Sequence, residues 1–173
     1  LDMSRLEAGA LGVKPETAQI HELVEAAIKR LSRRLAGHRI ELDLPDDLPL
    51  VSVEPVLLEQ AIVNVLDNAA KYAPTGSLVR IGGIATGMRV VLTIEDEGPG
   101  VPHDDLSRIF DKFHRAKATD SRVAGTGLGL AVARGFVEAF GGTLDAANRA
   151  NRKGAVLTVS LPNAKETGRA IGN

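Results

Sequence analysis

The chain has 173 residues, enough for one sizeable core, so one domain with short extensions is expected. Apolar residues make up 44% and charged residues 25%, which excludes wholesale disorder, and the formal net charge of -1 gives no electrostatic reason to bind nucleic acid or an anionic membrane. With no cysteine, disulfides and thiolate metal sites are excluded, and no uncharged run is long enough to cross a bilayer.

Leu1 to about Ala10 reads as the last turns of a helix, ended by Gly9 and Gly12, so the chain is expected to be a piece of something longer. From His21 to Leu35, Leu23, Val24, Ala27, Ile28, Leu31 and Leu35 recur at helical spacing, and Gly37 stops the helix. Ile40, Leu42 and Leu44 then alternate with Arg39, Glu41 and Asp43, which predicts a half-buried strand, and Pro45 to Pro49 is a loop. A second helix begins near Glu54-Pro55 and runs to about Tyr72. Pro74 to Ser77 is a turn. Strands Leu78–Ala85 and Met88–Asp96 follow, joined at Thr86-Gly87 like a hairpin. A short helix is expected over roughly Leu106 to Phe113, with Phe110 and Phe113 packing into the core, then a polar, aperiodic loop over His114 to Ala124. A helix from about Gly127 to Phe140 stops at Gly141-Gly142. Two closing strands, Thr143–Ala147 and Ala155–Leu161, precede Pro162, and a polar, flexible tail starts at Asn163. Adjacent late strands without regular βαβ alternation point to a mixed or antiparallel sheet with helices on one face.

Three segments carry chemistry. On the helix from Glu54 to Tyr72, each residue advances about 100° around the axis. Leu58, Ile62, Val65, Leu66 and Ala69 gather on one side, and Gln60, Asn64, Asp67, Asn68 and Lys71 on the other. Such a stripe is ordinarily a solvated face. Asn and Asp are poor mid-helix residues, however, and Asn64 and Asn68 at i and i+4 would set two neutral oxygens side by side for a hard Mg²⁺ ion, with Lys71 beside phosphate charge. Asp96 shares a strand face with Val90, Leu92 and Ile94, so a carboxylate closes an inward row. An adenine amino group would partner it, or it caps the turn through Gly98 and Gly100. Gly125, Gly127 and Gly129 precede a helix and could offer backbone N–H groups to phosphate, although a flexible connection has the same composition. The loop is neither a Walker A loop nor a dinucleotide fingerprint: no Lys-Ser or Lys-Thr follows, and Leu130 stands at the third glycine position. His21 opens a helix as a cap or surface residue, not a phosphoacceptor, and His38, His103 and His114 have no ligand spacing.

Taken in order, these segments resemble the ATP-binding (catalytic and ATPase, GHKL-type) domain of bacterial sensor histidine kinases. Asn64-Val65-Leu66-Asp67-Asn68-Ala69-Ala70-Lys71-Tyr72 is similar to the family's N box, Asp96-Glu97-Gly98-Pro99-Gly100 to its first glycine box, Ile109 to Arg115 to its F box, and Gly125 to Leu130 to its second glycine box. Leu1 to Gly9 resembles the end of the family's dimerisation and histidine-phosphotransfer helix. Ala146 to Arg149 and Gly154-Ala155-Val156 are similar to Kdp-type potassium sensors.

The resemblance implies an α+β two-layer sandwich, with a mixed sheet of about five strands covered on one face by three main helices. It implies the end of the dimerisation and phosphotransfer helix with its linker over residues 1–12, the ATP-binding catalytic domain over 13–162 and a flexible tail over 163–173. Asn64 and Asn68 would hold Mg²⁺, Lys71 and Tyr72 would border phosphates and sugar, and Asp96 would read the adenine amino group. Gly98 and Gly100 would let the backbone approach the base, and Gly125, Gly127 and Gly129 would anchor a lid over His114 to Ala124. Phe110, Arg115, Thr126 and Leu128 complete the implied ATP site. Relatives that hydrolyse ATP carry a glutamate base where Asn64 stands, and an amide cannot take that proton. The implied reaction is therefore transfer of the γ-phosphoryl group to a histidine outside this chain, for relay to a response-regulator aspartate. The implied setting is cytoplasmic, as the monomeric ATP-binding part of a membrane-anchored kinase, with no nucleic-acid or membrane contact of its own. A non-catalytic nucleotide- or partner-binding module and a hydrolytic ATPase of the same superfamily are the alternatives.

Overall fold

The computed structural model describes residues 14–114 and 125–165. The expected helix end at Leu1 to Ala10, most of the lid segment and the end of the tail lie outside them. In chain order the elements are β1 (Glu16–Ala18), α1 (Ile20–Arg30), α2 (Ser32–Leu35), β2 (Arg39–Asp43), β3 (Val51–Val53), α3 (Pro55–Tyr72), β4 (Leu78–Thr86), β5 (Arg89–Glu95), α4 (Gly129–Ala139), β6 (Thr143–Asn148) and β7 (Ala155–Pro162).

Five strands form one sheet in the order β2-β4-β5-β7-β6, with β2 parallel to β4 and the other neighbours antiparallel. Alternation decides what each strand buries. Val79 and Ile81 of β4, Val90, Leu92 and Ile94 of β5, and Leu157, Val159 and Leu161 of β7 all face one side. On that side α1, α3 and α4 close the core around Leu58, Ile62, Leu66 and Phe136, giving two layers. The mixed sheet with three main helices on one face is the architecture the sequence predicts.

Several local expectations are corrected. The first helix does not run unbroken from His21 to Leu35. It unwinds at Leu31 (φ -95°, ψ 12°) and resumes as the short α2, with Leu31 and Leu35 both buried. Strand β2 is the sheet edge, so Ile40 is half-buried while Leu42 is 46% exposed. The hairpin loop falls at Gly87-Met88, because Thr86 pairs with Arg89 and Gly87 takes φ +58°. No α-helix forms over Leu106 to Phe113. A 3₁₀ turn at His103–Asp105 leads into a series of turns, and Phe113 adopts φ +62°, which a helix cannot continue. Phe113 is 71% exposed instead of packing inward. The described start of the tail is anchored: Asn163 is buried, and its N–H donates to Met88 O at 2.8 Å while Ala164 N–H donates to Leu50 O at 2.8 Å. The small β1–β3 pair is an addition, three residues per strand, too short for periodicity to signal.

Candidate functional site

Helix α3 supplies one wall of the site. Glu54 caps it, its carboxylate accepting from Val56 N–H at 3.2 Å and Leu57 N–H at 3.0 Å, and Pro55 occupies the first turn, where an N–H is not needed. The apolar side buries Leu58, Ile62, Val65, Leu66 and Ala69, so Asn64, Asp67, Asn68, Lys71 and Tyr72 must face a cleft. The two asparagines are not equivalent there. The Asn64 carboxamide is engaged on both sides: its oxygen accepts from Gln60 Nε2 at 2.9 Å, and its nitrogen donates to Gly129 O at 3.0 Å. Among the described residues Asn68 has no hydrogen-bond partner, and it lines the cleft. Lys71 Nζ pairs with Asp67 at 2.7 Å, and Arg34 holds the other oxygen of that carboxylate, so phosphate would compete with an existing ion pair.

Asp96 lies one residue past β5 and is 4% exposed. Its backbone N–H extends the β5–β7 ladder to Ala155 O at 3.0 Å. One carboxylate oxygen, Oδ1, accepts from Gly98 N–H at 2.7 Å and from Ala155 N–H at 3.3 Å. Among the described residues no donor reaches Oδ2, and Asp96 borders the cleft. Burial pushes this carboxyl above the usual carboxylate range, opposed by the Gly98 and Ala155 N–H groups and by the positive charge of Arg149. One oxygen of Asp96 thus caps the turn, as one of the two sequence readings has it, and the residue borders the cleft. Gly98 and Gly100 are required by that turn. A Cβ on Gly98 would lie 2.9 Å from Tyr72 O, and Gly100 takes φ +80°.

The third wall is the Gly125–Leu130 segment. Gly127 takes φ +71°, and a Cβ there would lie 2.9 Å from His114 O, so this loop lies directly against the turn at Phe113-His114. Phe113 N–H donates to Gly127 O at 3.0 Å. Helix α4 then starts at Gly129 with no side-chain cap, leaving its first N–H groups without intrahelical partners near Asn64.

These walls enclose a cleft of ≈ 520 Å³, within the size range of small-molecule sites. Of the residues singled out from sequence, Asn64, Asn68, Lys71, Tyr72, Asp96, Gly100, Gly125, Thr126, Gly127 and Gly129 border it. Gly98 and Leu128 sit behind the wall, one holding Asp96 and the other preceding α4. Phe110 is not part of the lining. It packs against the core with the Arg134 guanidinium 4.8 Å from its ring centre. Arg115 lies outside the described residues. Two features went unread in the sequence: His114 borders the cleft and pairs with Asp105 at 3.0 Å, and Asn148 and Arg149 bind the Asp96 turn. Neither has a spacing that marks it: Arg149 lies 53 residues after Asp96, and Asp105 and His114 meet only through the irregular turns between them. His21 is half-buried, its Nε2 3.2 Å from Leu44 O, and the N-cap is Gln19. Among the described residues there is no cluster of His, Cys, Asp and Glu fit to hold a metal. No helix of the described residues is long and apolar enough to cross a membrane.

Residues 53–165 match the family described as histidine kinase-, DNA gyrase B-, and HSP90-like ATPase. The chain belongs to this ATPase family. Among curated relatives, it is 38% identical over 164 residues to the sensor protein KdpD of Clostridium acetobutylicum and 39% identical over 162 residues to KdpD of Escherichia coli. Each match covers 94% of this chain but 18% of the relative, so the ATPase domain spans about a fifth of those proteins. The adaptive-response sensory kinase SasA of Synechococcus elongatus is 32% identical, with 94% of this chain and 42% of the relative covered. Among solved structures, the mycobacterial sensor histidine kinase MprB superposes with a TM-score of 0.76 at 29% identity, covering 87% of this chain and 98% of that one. Full-length ShkA in complex with AMPPNP gives a TM-score of 0.78 at 28% identity, covering 93% of this chain and 34% of that one. The family and the Kdp-type likeness read from the motifs agree with these relatives. This ATPase-family chain is thus similar, over nearly its whole length, to one segment of much longer sensor kinases.

Proposed function

We propose that this chain is the ATP-binding catalytic domain of a two-component sensor histidine kinase, occupying about residues 13–162. The observation that carries the reading is the division of labour across the cleft. A buried carboxylate with one free oxygen stands on the wall formed by β5 and β7, while amides, a lysine and an uncapped helix start line the others. Asp96 Oδ2 accepts the amino group of adenine. The N–H groups at the start of α4 and Lys71 take the phosphates, with Lys71 exchanging part of its pairing to Asp67. The AMPPNP bound by ShkA supports the same class of ligand for this cleft.

The donor set fits a magnesium ion. Asn68 offers a free amide oxygen, and Asn64 can offer its own if Gln60 releases it. An ion held by these amides would supply positive charge against the negative charge of the transferred phosphoryl group. Asn64 itself can orient groups but accepts no proton, so it is no general base for water and hydrolysis is slow. The reaction is in-line transfer: an N–P bond forms to a histidine ring nitrogen outside this chain, the bond from Pγ to the β,γ-bridging oxygen breaks, and ADP leaves with that electron pair. A response-regulator aspartate then receives the phosphoryl group. The domain works as a monomer on the cytoplasmic side, where ATP is available, within a membrane-anchored kinase.

Calorimetry of ATP and a non-hydrolysable analogue, with and without Mg²⁺, tests the site in wild type and Asn68→Ala. Mg²⁺-dependent binding that weakens in the variant is expected, and a folded wild-type domain that binds neither nucleotide would refute the reading. Transfer is tested by adding a histidine-phosphotransfer domain and radiolabelled ATP. Label on histidine is expected, whereas steady phosphate release by this domain alone would point to a hydrolytic ATPase.

A further inference from the structure

The connection between β6 and β7 has no part in the reaction proposed above, yet it grips the turn carrying Asp96 at both ends. The Arg149 side chain is 8% exposed. Its Nη1 donates to Asp96 O at 3.2 Å and to Lys153 O at 3.4 Å, and the guanidinium lies 3.6 Å from Glu95 Oε2 and 3.8 Å from Glu97 Oε1. Glu97 is itself fixed, accepting from Leu78 N–H at 2.9 Å. One residue earlier, Asn148 meets Val101 as a second strand would, accepting from its N–H at 2.7 Å and donating to its carbonyl at 2.7 Å. Gly154 lets the loop close onto the turn: it takes φ +125°, and a Cβ there would lie 1.9 Å from Asp96 O.

This arrangement exceeds what joining two strands needs. The regular pairing of β5 with β7 ends at Glu95 and Val156, and beyond it the glycine-bearing turn from Asp96 to Val101 is tied by the Asp96 N–H and carboxylate at its start, while its far end at Val101 is tied by Asn148. Burying a guanidinium is costly unless its donors are used, and the planar fork imposes a direction that a flexible ammonium would not.

We propose that Arg149, supported by Asn148 and Gly154, is a positioning residue for base recognition: it fixes the Asp96 peptide so that Oδ2 points into the cleft, and thereby sets the preference for adenine over guanine. This rests on the reading of Asp96 as the adenine acceptor. Arg149 also favours the ionised form of Asp96, against the burial that disfavours it. Among the described residues, the other charged or titratable groups bordering the same cleft are Asp67, Lys71 and Tyr72 of α3 and His114 of the turn before the glycine loop, and Glu95 and Glu97 flank Asp96 in its own segment.

The test measures ATP and GTP affinity by calorimetry for wild type, Arg149→Met, Arg149→Lys and Asp96→Asn, from about pH 5 to about pH 8. Thermal melting checks that each is folded. Arg149→Met is expected to weaken ATP roughly 10-fold while affecting GTP less, and to move the acid limb of ATP binding to higher pH. Arg149→Lys keeps the charge and leaves that limb in place, without restoring the full ATP-over-GTP preference. A folded Arg149→Met domain with wild-type preference and acid limb overturns the proposal, as does equal weakening of both nucleotides with an unmoved limb. If Arg149→Met does not fold, Asn148→Ala must narrow the preference, and wild-type preference in that variant overturns it. Selectivity lost in Asp96→Asn but kept in Arg149→Met removes the positioning role alone. No ATP binding by wild type removes the adenine reading and this proposal with it.

Discussion

Replacing Asp96 with asparagine changes one atom and reverses the hydrogen-bonding character of one side of the site. In the wild type, Oδ1 accepts from Gly98 and Ala155, leaving Oδ2 for the ligand. The asparagine carboxamide has one acceptor and one donor end. Keeping both backbone bonds requires its oxygen at the Oδ1 position, which turns the NH₂ toward the cleft. An adenine amino group would then meet a donor. The loss is a charge-assisted hydrogen bond in a buried place, about 1.5–3 kcal/mol, or roughly 10- to 150-fold in ATP affinity. The base carbonyl of GTP would meet that same NH₂ favourably, so the ATP-over-GTP ratio should fall by more than the ATP affinity alone. Calorimetry with both nucleotides at neutral pH reads both quantities. Unchanged ATP affinity together with an unchanged ratio would refute the assignment of Oδ2 to the base.

The same residue predicts a pH effect on the ligand-free domain. Because burial raises the folded-state pKa of Asp96, the folded state holds the extra proton and stability falls as pH rises from about 4 through the raised value. Asp96→Asn should therefore melt at or above the wild-type temperature at neutral pH, the difference closing below about pH 4. A variant melting well below wild type at neutral pH would contradict this. Gly127→Ala forces a side chain into φ +71° against the backbone of Phe113 and His114, and should cost about 1–3 kcal/mol as well as ATP binding, read by urea titration and calorimetry. Phe136→Ala empties a fully buried site between α4 and the sheet, and about 3–5 kcal/mol should be lost in the same titration. Glu54→Ala removes the cap of α3 and should cost about 0.5–2 kcal/mol, a melting shift that an unchanged thermogram would deny.

Much of the site was legible before any coordinates. The two faces of α3 follow from helical periodicity, and the inward position of Asp96 follows from strand alternation. Local chain geometry alone dictates both. The glycines were legible too, since positive φ at Gly100 and Gly127 has few other occupants. The short segments were not. The turns after Asp105 read as a helix because two phenylalanines three residues apart mimic its spacing, and the tail read as flexible because its anchors, Met88 and Leu50, are remote in the chain.

The sequence by itself therefore determined the longer elements, the apolar face of each and the residue types that reach the cleft, because these depend on neighbours a few positions away. Only the tertiary structure decided that Asn64 is occupied while Asn68 has no partner among the described residues, and that Lys71 is already paired. It alone showed that Asp96 spends one oxygen on its own turn and that Arg149, 53 residues later, holds that turn in place. Hydrogen bonds of this kind join atoms whose distance is set by how the sheet and helices pack. Residue type and local spacing carry no record of that distance.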